Sequence, residues 1–140
     1  MSSSSAKEPL VFCVDTSAFI DAWERYYPQD VFPGLWDQFD DLMEEGTIIS
    51  SIEVYKEMKK KSDGVVQWAR RHRKRFLDSD GEVLDRVREI MAAFPDRFVD
   101  FRKSRSGADP FVIAVAQVHG AQVVQSETPG RGKTVNPIVA

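Results

Sequence analysis

The chain has 140 residues, 42% of them hydrophobic and 29% charged, with a formal net charge of −3. That length suits one domain with a single core, and the composition is that of a globular protein. No apolar run approaches the ~20 residues that span a bilayer, and the single cysteine, Cys13, excludes an internal disulfide.

The start, "MSSSSAKEP", lacks an apolar signal-peptide core, so residues 1–9 are expected to form a polar, disordered leader to one domain over residues 10–140. Leu10 to Val14 reads as a strand buried on both faces, with Cys13 a core thiol, as expected of a cytoplasmic protein. Thr16 to Trp23 then has helical spacing, with Ala18, Phe19, Ala22 and Trp23 facing inward. "YYPQDVFPGLW" reads as a packed aromatic connection. From Leu35, the residues Phe39, Leu42 and Met43 mark a helix that Gly46 ends. "TIIS", Thr47 to Ser50, is a short β-branched strand. In "SIEVYKEMKKK", Ile52, Tyr55 and Met58 form an apolar stripe, while Glu53 and Glu57 share another face.

A helix opening at Val65, Val66, Trp68 and Ala69 is expected to carry the cationic run "RRHRKR". The next helix has its stripe at Val83, Leu84, Val87, Ile90 and Met91. "DRFVDF" is expected as a short strand. Asp109 followed by Pro110 opens a helix that Gly120 stops, and "AQVVQ" is a further strand leading to Glu127. Strands alternate with helices throughout, so the fold class is α/β, with a central parallel sheet and helices on both sides.

The chemical signal is positional. Asp15 follows the first strand, Glu53 and Glu57 lie on the helix after the second, Asp109 opens a later helix, and Glu127 ends a later strand. In a parallel sheet all carboxyl ends of strands lie along one edge, where such residues can meet. Carboxylates within about 4 to 6 Å raise one another's pKa values unless a cation neutralises them. An oxygen-only donor set favours Mg²⁺ or Mn²⁺, and that arrangement suits phosphodiester hydrolysis. Each acid alone also has a plainer use: Asp15 and Asp109 as helix caps, Glu53 and Glu57 as partners of Lys56, Lys60 or Lys61.

Other chemistries are poorly matched. His72 and His119 lack the Ser or Cys spacing of a catalytic triad and read as structural or surface residues. "TPGRGKT" lacks the G-x-x-x-x-G-K-[ST] spacing of a phosphate-binding loop, and "VDTSAF" lacks the second aspartate of a D-x-D-x-T phosphatase signature.

"FCVDTSAFID", "SSIEVYKEM" and "ADPFVIAVAQVHGAQVVQSE" resemble the three signature blocks of PIN-domain ribonucleases, including VapC-like toxins. The last two blocks, with "YPQDVFPGLWDQF", are similar to a PIN-like bacterial branch, and the similarity runs from Val11 to Glu127. The resemblance implies a three-layer α/β/α fold and Mg²⁺- or Mn²⁺-dependent cleavage of RNA. It matches Asp15 to the first metal-binding acid, Glu57 to the glutamate of the V-x-x-E block, and Asp109 to the acid opening the later helix. Glu127 takes the fourth catalytic position, where the usual V-V-T-x-D block has aspartate, and Glu53 is an additional metal ligand. Ser17 stands where asparagine is common. The family adds a last strand and helix after the fourth acid, so the remaining "TPGRGKTVNPIVA" implies a truncated or shortened edge.

On this reading Arg70, Arg71, Arg73, Lys74 and Arg75 contact RNA phosphates, with Arg102, Lys103 and Arg105 as a second cationic patch. The expected partners are RNA, a cognate antitoxin protein of a type II toxin–antitoxin system, and a second copy of the chain. Two alternatives stand beside it: a metal-dependent phosphatase or DNA nuclease, and a nucleic-acid- or protein-binding module with a degenerate metal site.

Overall fold

The computed structural model describes residues 10–93, 109–126 and 138–139. The short apolar runs form strands, and the amphipathic segments between them form helices. In chain order these are β1 (Phe12–Val14), α1 (Thr16–Asp21) with a π-helical extension over Ala22–Tyr26, α2 (Pro33–Glu45), β2 (Ile48–Ser51), α3 (Ile52–Lys61) and α4 (Asp63–Arg70). A 3₁₀ turn (Arg73–Arg75), β3 (Phe76–Leu77), α5 (Gly81–Ala93), α6 (Asp109–His119), β4 (Gln122–Val124) and β5 (Ile138–Val139) complete them.

The sheet order is β3-β2-β1-β4-β5. The first four strands are parallel, with Cys13 level with Ile49 on one side and Val123 on the other. Strand β5 pairs antiparallel with β4 at the edge. Side chains alternate across a strand, so Phe12 and Val14 point to one face and Cys13 to the other. On the first face, α1, α3 and α4 meet the sheet through large rings: Phe19 lies 5.7 Å and Tyr55 5.5 Å from Phe76, and Phe19 lies 5.8 Å from Trp68. On the second face α6 packs close enough for the Cys13 thiol to donate to the Val112 carbonyl at 3.6 Å. The result is a three-layer α/β/α fold with a central parallel sheet.

Local signals fix the helix ends. Pro33 starts α2, where its fixed φ suits the first turn and its missing N–H costs nothing. Gly46 ends α2 in the left-handed region at φ 82°. Ser51 closes β2 and caps α3, its hydroxyl accepting the Glu53 N–H at 3.0 Å. No helix among the described residues is long and apolar enough to cross a membrane.

Two expectations change, and a third is untested. Helix α4 stops at Arg70, so the cationic run after Arg70 lies on a turn and a 3₁₀ segment rather than on a helix. The reason is Phe76, which is 1% exposed and enters the sheet beside Ser50 as the short strand β3. The connection after α1 is also shorter than expected, because Pro33, Gly34, Leu35 and Trp36 already belong to α2. The strand expected in "DRFVDF" lies outside the described residues.

Gly64 marks a close local contact between α4 and Trp23. A Cβ at this position would sit 2.5 Å from the Trp23 indole nitrogen, and Trp23 is itself held 4.9 Å from Trp36. Helix propensity alone favours Gly64→Ala by about 1 kcal/mol, whereas overpacking costs about 1 to 3 kcal/mol. The substitution is therefore expected to lower stability in urea unfolding; a stabilised variant would show that Trp23 is not held.

Candidate functional site

The strand order reverses at β1. Helices α1 to α4 connect β1 to β2 and β2 to β3 on one face, whereas the chain returns on the other face, through α6, to place β4 on the far side of β1. Right-handed crossovers require this change of face. The carboxyl ends of β1 and β4 are therefore the topological switch point, where open α/β sheets leave a crevice for ligands.

Asp15 stands at that point. It is 5% exposed, and its backbone N–H donates to Val124 of β4 at 2.9 Å. It occupies the N-cap position of α1, yet its side chain makes no capping hydrogen bond. The ordinary structural use of aspartate before a helix is thus not the one made of it. Instead, Ser17 Oγ donates to Asp15 Oδ2 at 3.2 Å, and the same Oγ accepts the Ser126 backbone N–H at 3.3 Å. Ser126 Oγ in turn donates to Asp21 Oδ2 at 2.5 Å. A continuous polar link thus joins the ends of β1 and β4 to the last turn of α1. Ser17 and Ser126 were visible in the sequence only as small polar residues flanking acids, and their pairing across the switch point requires the β1–β4 register.

The other acids approach the same edge from different elements. Helix α3 leaves the carboxyl end of β2, with Glu53 in its first turn and Glu57 one turn later. The Glu57 side chain is 15% exposed and lies 3.2 Å from Lys61; that of Glu53 is 29% exposed and lies 3.4 Å from Lys56. Helix α6 must begin on this edge because it ends where β4 enters the sheet, and Val112 in its first turn touches Cys13. That places Asp109 beside the switch point. Glu127, and the second cationic patch of Arg102, Lys103 and Arg105, lie outside the described residues.

Among the described residues no three His, Cys, Asp or Glu side chains are grouped to hold a metal. Mg²⁺ needs fewer: it keeps several waters and binds through one or two carboxylates. A buried aspartate at the switch point, its Oδ2 beside the Ser17 hydroxyl, is a donor of the kind that fits such an ion. The geometry gives Asp15 the central place and leaves Glu53 and Glu57 held by lysines.

The cationic run has a partly structural role. Arg75 Nε donates to the Met43 carbonyl at 2.5 Å and its terminal nitrogen donates to the Glu44 carbonyl, satisfying the last carbonyls of α2. Arg73 lies over the Tyr55 ring at 5.5 Å and donates to the Phe76 carbonyl at 3.3 Å. Arg71 lies 3.5 Å from Asp40 and Lys74 4.0 Å from Glu44. His72 is buried at 3% exposure, its Nε2 2.7 Å from the Asp40 Oδ1 that also accepts from Trp68 Nε1 at 2.8 Å. An ionised carboxylate only accepts, so His72 Nε2 carries a proton. This run anchors α2 to β3 from the end at which β2 enters the sheet, opposite the edge that carries Asp15.

On the aromatic face, a cavity of about 670 Å³ runs from the underside of α2 to Asp21 and Ser126. It is lined by Phe12 and Val14 of β1, by Phe19 of α1 and by Trp36 and Phe39 of α2.

The chain is thus a three-layer α/β protein with a buried aspartate at its switch point. It belongs to the family described as a domain of unknown function, DUF4411, which it matches over residues 12–139. No curated protein matches the chain.

Two measurements probe this edge. Burial first, and then the negative charge of Asp15, push the Cys13 thiol up from 9.0 to about 12. The folded state therefore binds more protons than the unfolded state between these values, so Cys13 stability is intact below pH 9 and is lost as pH rises toward 12. Alkaline unfolding should lose this component in Cys13→Ala, and at pH 8 a thiol reagent should label the native chain no faster than it opens. Rapid labelling would contradict the buried placement. Ser17→Ala leaves both Asp15 and the Ser126 N–H without this partner and should cost about 1 to 3 kcal/mol in urea unfolding. A neutral result would mean that the link across β1 and β4 carries no weight.

Proposed function

We propose that the chain is a divalent-metal-dependent nuclease that hydrolyses RNA phosphodiesters at the β1–β4 switch point. The observation that carries this reading is Asp15: a carboxylate 5% exposed, on the carboxyl end of a central strand, not used to cap the helix it precedes. The resemblance of its three acidic blocks to PIN-domain ribonucleases supplies the substrate class.

In this reading Asp15 is the principal ligand for Mg²⁺ or Mn²⁺, with Asp109 at the start of α6 and Glu57 as the further acids. A bound ion would supply positive charge to the scissile phosphate and acidify a water molecule. Ser17 restrains the Asp15 carboxylate by donating to Oδ2. Glu57 and Glu53, each close to a lysine, would help to orient water around such an ion. Among the run, exposed Arg70 remains for RNA phosphates, since Arg75 is engaged with α2, Arg73 with Tyr55 and Phe76, and Arg71 with Asp40. An antitoxin protein and a second copy of the chain belong to the same proposal as partners.

A second reading is a binding module without turnover, favoured by the lysines on Glu53 and Glu57. Incubation of single-stranded RNA with Mn²⁺ separates the two. Asp15→Asn is expected to reduce cleavage by about 100-fold or more, beyond the scale of losing a mere supporting contact, with its melting temperature close to that of the parent. Undiminished cleavage by Asp15→Asn, or RNA binding without any cleavage by the parent, would overturn the nuclease assignment. Parallel reactions on DNA and on a phosphate monoester define the substrate class.

A further inference from the structure

The aromatic cavity adjoins the proposed phosphodiester site, and one element belongs to both. Ser126 lines the cavity, and its N–H meets the Ser17 hydroxyl that donates to Asp15. Asp15 is therefore two hydrogen bonds away from a residue that lines the cavity. At about 670 Å³ the cavity lies within the ~300–1,000 Å³ range of small-molecule sites. Its walls are mainly rings and aliphatic side chains, and Tyr26 and Tyr27, 43% and 42% exposed, stand among its lining residues. Asp21, whose carboxylate accepts from Ser126 Oγ, is the one acidic residue among the described lining residues.

We propose that this cavity receives an unstacked guanine base of the RNA, adjoining the phosphodiester that is cut at Asp15. This inference rests on the nuclease reading and adds to it a base preference. Three features select the occupant. Single-stranded RNA is recognised by splaying bases out onto aromatic side chains and reading their edges. The base and the phosphate of one nucleotide are joined by a single ribose, which suits the short separation of Asp15 from the lining residue Ser126. At the polar end the reading group is a carboxylate. It has about four acceptor sites, of which Ser126 Oγ takes one on Oδ2.

A carboxylate with remaining acceptor capacity calls for a ligand edge that presents N–H donors. Guanine offers two adjacent donors, N1–H and the exocyclic amino group, which match the two oxygens. Uracil offers one N–H flanked by two carbonyl oxygens, and those oxygens would face Asp21. A hydrocarbon chain would fill the apolar walls but leave the Asp21 carboxylate with no donor from the ligand. The cavity thus discriminates by edge chemistry at one end and accepts any flat ring along its walls.

Binding can be read without catalysis because Trp36 and Trp68 line the cavity and report its occupancy by fluorescence. The full chain is titrated, in chelator and without divalent metal, with guanosine, adenosine, cytidine and uridine 5′-monophosphates. Guanosine monophosphate is expected to bind about tenfold more tightly than the uridine nucleotide, the discrimination of a bidentate contact. Asp21→Asn should erase that ratio. Ala18→Leu, which fills the cavity wall, should weaken every nucleotide. Thermal melts of both variants establish that they fold, and the parent's ratio stands on its own if either does not.

Equal binding of all four nucleotides, no quenching by any, or uptake of a hydrocarbon-chain probe that guanosine monophosphate does not displace would each overturn the proposal. Failure here is separable from failure of the nuclease reading. Asp15-dependent RNA cleavage with no preference for guanine, unchanged in Asp21→Asn, removes the cavity assignment and leaves the nuclease. Selective guanine binding by a chain that never cuts RNA removes the nuclease and leaves the base site.

Discussion

Strand β1 has only three residues, yet it is paired on both edges and covered on both faces. Every other element is placed relative to it. Pairing with β2 sets the aromatic face, because α1 and α2 must connect the two strands on the same side. Pairing with β4 then obliges the chain to come back on the opposite side through α6. The consequence is chemical as well as architectural, because the residue after Val14 emerges at the reversal of strand order. That residue is Asp15, and the 2.9 Å bond from its N–H to the Val124 carbonyl ties it to β4. A register slip of one residue between β1 and β4 would turn Cys13 away from α6 and carry Asp15 out of the crevice.

Charge is distributed according to this frame. At the carboxyl edge, negative groups are held by hydroxyls and, on α3, by lysines one turn on. At the opposite edge, positive groups close the end of α2. Gly46 illustrates how closely, since a Cβ there would lie 3.4 Å from the Arg75 guanidinium, and its backbone is already left-handed at φ 82°. A guanidinium on the final carbonyls of a helix satisfies acceptors and complements the helix dipole. A cluster that reads in one dimension as a nucleic-acid patch therefore divides in three dimensions into anchoring residues, Arg75 and Arg73, and outward ones such as Arg70.

Long-period signals were legible in the sequence. β1, β2, α3 and α6 follow from apolar runs, helical stripes and the Asp109–Pro110 and Gly120 boundaries, and the parallel three-layer class follows from their alternation. Strand β3 was not legible, because two residues carry no periodicity and the cationic residues before them favour a helical, solvated reading. Phe76 is buried by tertiary packing against Phe19 and Tyr55, which no local window contains. The acids divide similarly. Asp15 announces itself by ending a buried strand, whereas Ser17, Asp21 and Ser126 acquire their relation only when β4 lies beside β1, more than 100 residues later in the chain. Their signal, a hydroxyl two residues after one acid and another just before a second, becomes distinctive only with that register.

The two faces of the sheet achieve burial by opposite means, and the difference shapes the site. Beneath α6 the residues are small, with Cys13, Ala114 and Val115 fully buried. Small side chains let a helix approach closely, so the thiol reaches the Val112 carbonyl and the start of α6 is drawn to the switch point. On the other face the contacts are between large rings, Trp36 meeting Trp23, Phe39 and Trp68 edge-on at centroid separations of 4.9 to 5.0 Å. Edge-to-face rings are stable but fill space less evenly than interdigitated aliphatic chains. The close-packed face can hold an acid in a fixed position, and the ring-lined face can leave room beside it. Because β1 contributes Cys13 to one and Phe12 and Val14 to the other, the same strand delivers the rigid side and the open side of one crevice.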